Sequence, residues 1–73
     1  MIEFWLNEIR REFESANKKF TAFNSPHEGY AVILEELDEL WDSIKLNNNS
    51  NEMAKEAIQV GAMALRFLVD CIK

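Results

Sequence analysis

Apolar residues recur at intervals of three and four along almost the whole chain, which is the spacing of one face of an α-helix. Strand signals are absent, and only one proline and two glycines interrupt the pattern. The pattern therefore predicts an all-α fold of three helices in a single domain that covers residues 1–73.

The first two predicted helices have distinct boundaries. The first spans about Ile2 to Phe20. Ser25 is followed by Pro26 and, three residues after the serine, by a glutamate, which is a capping box with proline at the first helical position. The second helix therefore begins at Pro26 and is predicted to run to about Leu46. Its predicted apolar stripe consists of Tyr30, Ile33, Leu37, Leu40, Trp41 and Ile44.

The third predicted helix follows an asparagine-rich turn at 47–49, with Ser50 as its expected cap. Because the turn is short, helices 2 and 3 should form an antiparallel hairpin. The third helix carries two apolar faces and only a narrow polar strip. Two short helices cannot easily cover both faces, so we predict that a second subunit contributes and that the domain assembles into an oligomeric helical bundle.

Size and charge narrow the possible functions. The net charge of −5 argues against a nucleic-acid polymer as partner, and no apolar run approaches the roughly 18 residues of a membrane span. Cys71 is the only cysteine, and no signal peptide is evident, so we expect a cytoplasmic protein. A chain of 73 residues usually gains stability from a metal ion or a partner subunit.

Six acidic residues and no lysine or arginine lie between Phe20 and Ile44. Like charges one helical turn apart destabilise a helix by about 0.2–0.5 kcal/mol per pair, and interleaved lysines normally offset this. The acids are Glu28, Glu35, Glu36, Asp38, Glu39 and Asp42.

The hairpin brings further oxygen ligands toward this acidic segment. In the predicted register Glu39 lies level with Glu56, and Glu36 lies level with Gln59. Clustered carboxylate and carbonyl oxygens suit Mg²⁺ or Mn²⁺, which are hard cations. The alternative is a solvated acidic helix face, which is common in proteins without a metal.

The segment from His27 to Trp41, HEGYAVILEELDELW, together with KEAIQV at 55–60, resembles the MazG-like all-α nucleoside triphosphate pyrophosphohydrolases, and most closely their compact bacterial and phage forms. The resemblance extends over about residues 18–70. The family signature is Glu-x-x-Glu, a spacer and Glu-x-x-Asp. Glu36 and Glu39 match its first half, Glu35 completes the Glu-Glu-x-x-Glu form, and Glu56 begins the second half. The final Asp of the signature falls on Gln59, whose amide oxygen can bind a cation but carries no charge.

The resemblance implies Mg²⁺-dependent hydrolysis of a nucleoside triphosphate to the monophosphate and pyrophosphate, in a homodimer or homotetramer. Glu36, Glu39, Glu56 and Gln59 would then be metal ligands, and Glu35 either a ligand or the general base. Lys19, Lys55 and Arg66 are candidates for phosphate contacts, although each, taken singly, is better interpreted as an ordinary surface cation. The alternative function is a catalytically silent helical dimer that binds a protein or a nucleotide, and Gln59 is the residue that favours it.

Overall fold

The computed structural model describes residues 1–47 and 49–73. It contains three α-helices, α1 (Ile2–Lys19), α2 (Pro26–Asp42) and α3 (Ser50–Cys71), and a π-helical turn at Ser43–Asn47. No strand occurs in the described residues. The predicted all-α fold with three helices is confirmed.

The long helix α3 lies between the other two. α2 packs antiparallel to it, so that Gly29 in the first turn of α2 lies against Phe67 near the end of α3. α1 runs in the same direction as α3, and Ile9 packs on Gly61. Within the described ranges, no Cα atom of α1 comes within 8 Å of one in α2. The second apolar face of α3 is therefore covered in part by α1 of the same chain.

A close approach of α2 to α3 explains the glycine in the first turns of α2. A Cβ atom at Gly29 would lie 2.7 Å from a ring carbon of Phe67 and 3.1 Å from a ring carbon of Phe23. Any side chain at this position would push the two helices apart or displace both rings. Gly29 thus fixes which flank of α2 faces α3.

The apolar stripe predicted for α2 faces the core only in part. Tyr30, Leu37, Trp41 and Ile44 are all exposed, with Tyr30 at 65% and Trp41 at 55%. The flank of α2 that packs on the core carries Gly29, Val32 and Ile33, and Leu40 is half-buried. The helical wheel identifies the apolar side of α2 correctly, but the close contact at Gly29 turns a different flank toward α3.

The start of α2 agrees with the sequence in its main feature. The Ser25 hydroxyl accepts a hydrogen bond from the Glu28 amide at 3.1 Å, and Pro26 occupies the first helical position. The glutamate of the box, however, accepts from the amide of Asn24 at 2.8 Å rather than from that of the capping serine. The Glu28 carboxylate therefore binds the residue before the capping serine, in the loop that precedes α2.

Two helix boundaries differ from the sequence prediction. α2 ends at Asp42 rather than at Leu46, because the chain continues through the π-helical turn. The cap of α3 is Asn49, not Ser50, and its side-chain oxygen accepts hydrogen bonds from the amides of Asn51 and Glu52. Asparagine and serine are about equally good caps, so composition alone does not choose between adjacent positions.

The core of the single chain is small. Its buried apolar residues are Ala16, Phe23, Ala62 and Met63. In the described part of the chain, no helix combines the length and the apolar character that a membrane span requires.

Candidate metal centre

Three glutamates of α2 converge at one place on its surface. Glu35, Glu36 and Glu39 each offer a carboxylate oxygen, and these oxygens all lie within 4.8 Å of one another. Residues three and four apart on a helix point the same way, which brings Glu39 onto the side of its two predecessors. Glu35 and Glu39 are exposed, whereas Glu36 is half-buried.

The half-buried Glu36 is electrostatically strained. Burial raises the pKa of its carboxyl from an ordinary value of 4.5 to about 7, helped by the charge of Glu39 and a hydrogen bond with it, and then by the charges of Glu56 and Glu35. When no cation is bound, a substantial fraction of this carboxyl is therefore protonated near neutral pH. A divalent cation in place of that proton would neutralise the same repulsion.

The third helix supplies two more oxygen-bearing side chains, as the hairpin register predicts. Glu56 is half-buried, and its charge contributes to the raised pKa of Glu36, so it stands near the cluster. It is not part of the close group of three. Gln59 is half-buried and lines the same cleft as Glu35 and Glu36.

A cleft of about 370 Å³ opens beside these carboxylates. This volume lies in the range of small-molecule sites. Its lining includes the carboxylates of Glu35 and Glu36, the amide of Gln59 and the aromatic rings of Phe20 and Phe23. The remaining lining residues are Glu12, Ala16, Thr21, Glu28, Val32, Met63 and Arg66.

Arg66 is the most unusual residue of the cleft. It is only 3% exposed, which contradicts its interpretation as an ordinary surface cation. Its guanidinium lies 4.5 Å over the ring of Phe23, and Nη2 donates to the carbonyl of Thr21 at 2.8 Å. Nη1 contacts Sδ of Met63 at 3.6 Å, while Nε is buried without a partner. No carboxylate of the described residues lies within 4.0 Å of its nitrogens. A buried charge with so few partners is costly unless an anion compensates it.

The loop between α1 and α2 is held by two side chains of α3, which sequence reasoning missed. Arg66 binds the loop at Thr21, and one helical turn later Asp70 accepts a hydrogen bond from the amide of Phe23 at 3.0 Å. This clip places Phe23 against the cleft. The i, i+4 spacing of Arg66 and Asp70 is visible in the sequence, but their main-chain partners 45 and 47 residues away are not.

The two lysines predicted as phosphate contacts lie elsewhere. Lys19 is exposed in the last turn of α1 and does not line the cleft. Lys55 lines a neighbouring cleft of about 530 Å³ together with Trp5 and Glu8. Glu12 and Gln59 line both clefts, whereas Lys55 lines only the neighbouring one. Of the three predicted cations, the structure brings only Arg66 to the cleft beside the carboxylates.

Comparisons of the chain with protein-family models, with curated proteins and with solved structures found no match.

Proposed function

We propose that the protein is a Mg²⁺-dependent nucleoside triphosphate pyrophosphohydrolase that acts in the cytoplasm on surplus or non-standard nucleotides, as a homodimer or homotetramer. The observation that carries the proposal is the group of three carboxylates within 4.8 Å beside a cleft that also contains a buried, uncompensated arginine. A site whose lining includes both clustered anionic oxygens and a buried cation suits a metal-bound polyphosphate.

The donor set fits a hard divalent cation. Glu36, Glu39 and Glu56, with the amide oxygen of Gln59, would hold Mg²⁺. When bound, Mg²⁺ supplies charge neutralisation at the phosphate oxygens and lowers the pKa of a coordinated water. The sequence of the acidic segment supports this assignment through its resemblance to the MazG-like signature.

The protein residues contribute mainly position and charge, which dominate phosphoryl transfer. The guanidinium of Arg66 would face the phosphate chain, where arginine is a suitable partner for anionic oxygens. Phe20 and Phe23 offer apolar surface to the rest of the nucleotide. Water attacks the α-phosphorus, the bond to the α,β-bridging oxygen breaks, and the monophosphate and pyrophosphate leave.

The proposal is tested by measuring pyrophosphate release from a panel of ribo- and deoxynucleoside triphosphates with Mg²⁺. In water enriched in ¹⁸O, attack at the α-phosphorus places the label in the monophosphate. The Glu39→Gln variant should lose activity, whereas Glu14→Gln removes an equal charge from exposed α1 and should keep it. Label found in phosphate or pyrophosphate, or activity that persists in Glu39→Gln, would refute the proposal.

The role of Glu35 is separable by kinetics. If Glu35 is the general base, Glu35→Gln lowers kcat while the Mg²⁺ concentration for half-maximal activity stays unchanged. If it is a metal ligand, the required Mg²⁺ concentration rises.

A second candidate function is a catalytically silent helical dimer that binds a nucleotide or a protein. The neutral Gln59 at the edge of the acidic cluster favours it, because this position lacks the charge of an aspartate. Calorimetric binding of a nucleotide and Mg²⁺ without any pyrophosphate release would select this function over hydrolysis.

A further inference from the structure

Glu12 is the only acidic residue of α1 that lines the cleft beside the three glutamates. It is half-buried and lies in the middle of the helix. Glu8 and Ser15, four residues before and three residues after it, share with it the neighbouring cleft between α1 and α3, as helical spacing requires. Glu12 stands outside residues 18–70, so the resemblance to the MazG-like signature assigns it no role.

The other acids of this cleft already have a place. Glu35 and Glu36 belong to the close group of three carboxylates. Glu28 accepts hydrogen bonds from the main-chain amide of Asn24 at 2.8 Å and from its side-chain amide at 3.2 Å. Glu12, in contrast, has no lysine, arginine or histidine nitrogen within 4.0 Å in the part of the chain that the structure describes. A half-buried carboxylate without such a partner is costly, which leaves Glu12 as the acid of the cleft that is free for a ligand.

Glu12 and the neutral Gln59 occupy the same boundary. Of the described residues, they are the two that line both clefts, one from α1 and the other from α3. The affinity of an oxygen site for a divalent cation depends on the number of charged ligands. Gln59 contributes an amide oxygen and no charge. The negative charge that this position lacks is therefore present at the same boundary, on a different helix.

A second observation in the cleft points to a ligand that carries both charges. Nε of Arg66 is buried without a partner, and this side chain lines the cleft together with Glu12. An anion alone would pair with Arg66 but would be repelled by the carboxylates. A cation alone would leave the arginine unpaired. A divalent cation bound to an anion satisfies both, and Glu12 then pairs with the cation rather than with its bound anion.

We infer that Glu12 is part of the cation site and supplies from α1 the negative charge that Gln59 does not. The inference rests on the proposed function for the presence of the cation, and it adds a residue that neither the acidic segment nor its resemblance contains. The oxygens of Glu12 do not belong to the close group of three. Because Mg²⁺ keeps several water ligands, contact through water suffices for this role.

Binding of Mn²⁺ alone tests the inference on the full chain without any turnover. The paramagnetic resonance signal of free Mn²⁺ falls as the ion binds, which gives its dissociation constant. Glu12→Gln should raise this constant about tenfold, and Glu12→Asp, which keeps the charge, should raise it less. Glu8→Gln is the matched control, since it removes the same charge one turn earlier on α1, from a half-buried residue that lines only the neighbouring cleft. It should leave the constant unchanged.

A charge transfer makes the test specific. If Glu12 carries the charge that residue 59 lacks, Gln59→Asp should return the Mn²⁺ affinity of Glu12→Gln to near that of the wild type. A double variant as weak as Glu12→Gln alone would contradict this. Sedimentation equilibrium of every variant at one protein concentration controls for a change in assembly.

The outcomes separate this inference from the proposed function. A wild type that binds no Mn²⁺ removes the cation site and the proposed hydrolase with it. A wild type that binds Mn²⁺ as tightly as Glu12→Gln does overturns the role of Glu12 alone. If Glu12→Gln lowers the Tm in a chelator and leaves Mn²⁺ binding unchanged, Glu12 is a distant counter-charge of Arg66, and the inference is wrong.

Discussion

Replacing Glu36 with glutamine should stabilise the metal-free protein at alkaline pH. In the folded state the pKa of this carboxyl is raised to about 7, chiefly by burial and then by Glu39. A carboxyl with a raised pKa contributes stability that is fully present below its unfolded pKa and is lost as the pH rises through its folded pKa. The wild type should therefore lose stability between about pH 4.5 and pH 7, whereas Glu36→Gln has no such titration.

The size of the effect follows from the displacement of the pKa from 4.5 to about 7. If the whole shift of the pKa acted on stability, it would lower the free energy of unfolding at high pH by about 3 kcal/mol. Because Glu36 is only half-buried, solvent screening reduces this figure, and we expect about 1–2 kcal/mol. For a domain of this size each kcal/mol moves the Tm by about 4–8 °C.

The assay is thermal unfolding in the presence of a chelator, at pH 4.5 and pH 8 and at one fixed protein concentration, because oligomerisation also shifts the Tm. The Tm of Glu36→Gln should exceed that of the wild type by about 4–15 °C at pH 8 and should differ little from it at pH 4.5. Glu14→Gln, which removes the same charge from an exposed site on α1, should differ little from the wild type at either pH.

Addition of millimolar Mg²⁺ at pH 8 should reverse the order. A cation that binds only the folded state raises the Tm of the wild type, and Glu36→Gln should gain less because it lacks one anionic ligand. A wild type whose stability does not fall between pH 4.5 and pH 8, or an equal effect of Glu14→Gln, would refute the reasoning about Glu36.

Three further predictions address the ligand set, the helix contact and the corrected cap. Gln59→Asp should lower the Mg²⁺ concentration needed for half-maximal stabilisation severalfold, because it adds a negative charge beside the carboxylates. An unchanged Mg²⁺ titration would show that residue 59 does not bind the metal. Gly29→Ala should destabilise the fold by about 1–2 kcal/mol in chemical denaturation, since its Cβ would meet a ring carbon of Phe67 at 2.7 Å. Gly61→Ala should be close to neutral, because the helix propensity gained with alanine offsets a less severe contact with Ile9, at 3.0 Å from Cδ1 and 3.2 Å from Cγ1. Equal costs for both glycines would contradict the close approach. Asn49→Ala should lower the free energy of unfolding by about 1 kcal/mol in the same measurement, and Ser50→Ala should lower it much less. The opposite order would show that Ser50 is the cap.

The parts of the fold that local chemistry specifies were predictable from the sequence. The capping box at Ser25 and the apolar periodicity locate the helices, because both signals act within a few residues. The orientation of α2 was not predictable in the same way. A wheel ranks its faces by polarity, but the contact at Gly29 depends on rings from the loop and from α3 that come together only in the fold.

In the candidate site, too, the features set by local spacing were predictable and those set by tertiary packing were not. The convergence of Glu35, Glu36 and Glu39 follows from helical spacing alone, and the sequence therefore predicts it. The burial of Arg66 does not follow from helical spacing. Its main partners are a loop carbonyl and an aromatic ring, and only tertiary packing brings them to it. The metal, the substrate and the oligomer remain predictions that the experiments above address.

The separation of α1 from α2 determines how a molecule bound in the cleft would affect the local stability of both helices. In the described residues no Cα atom of α1 lies within 8 Å of one in α2, yet the cleft takes lining residues from both helices, Glu12 from α1 and Glu35 from α2. A molecule bound in the cleft would contact both helices at once. Occupancy should therefore slow amide hydrogen exchange in α1 as well as in α2, even though α1 holds none of the carboxylates of the cluster.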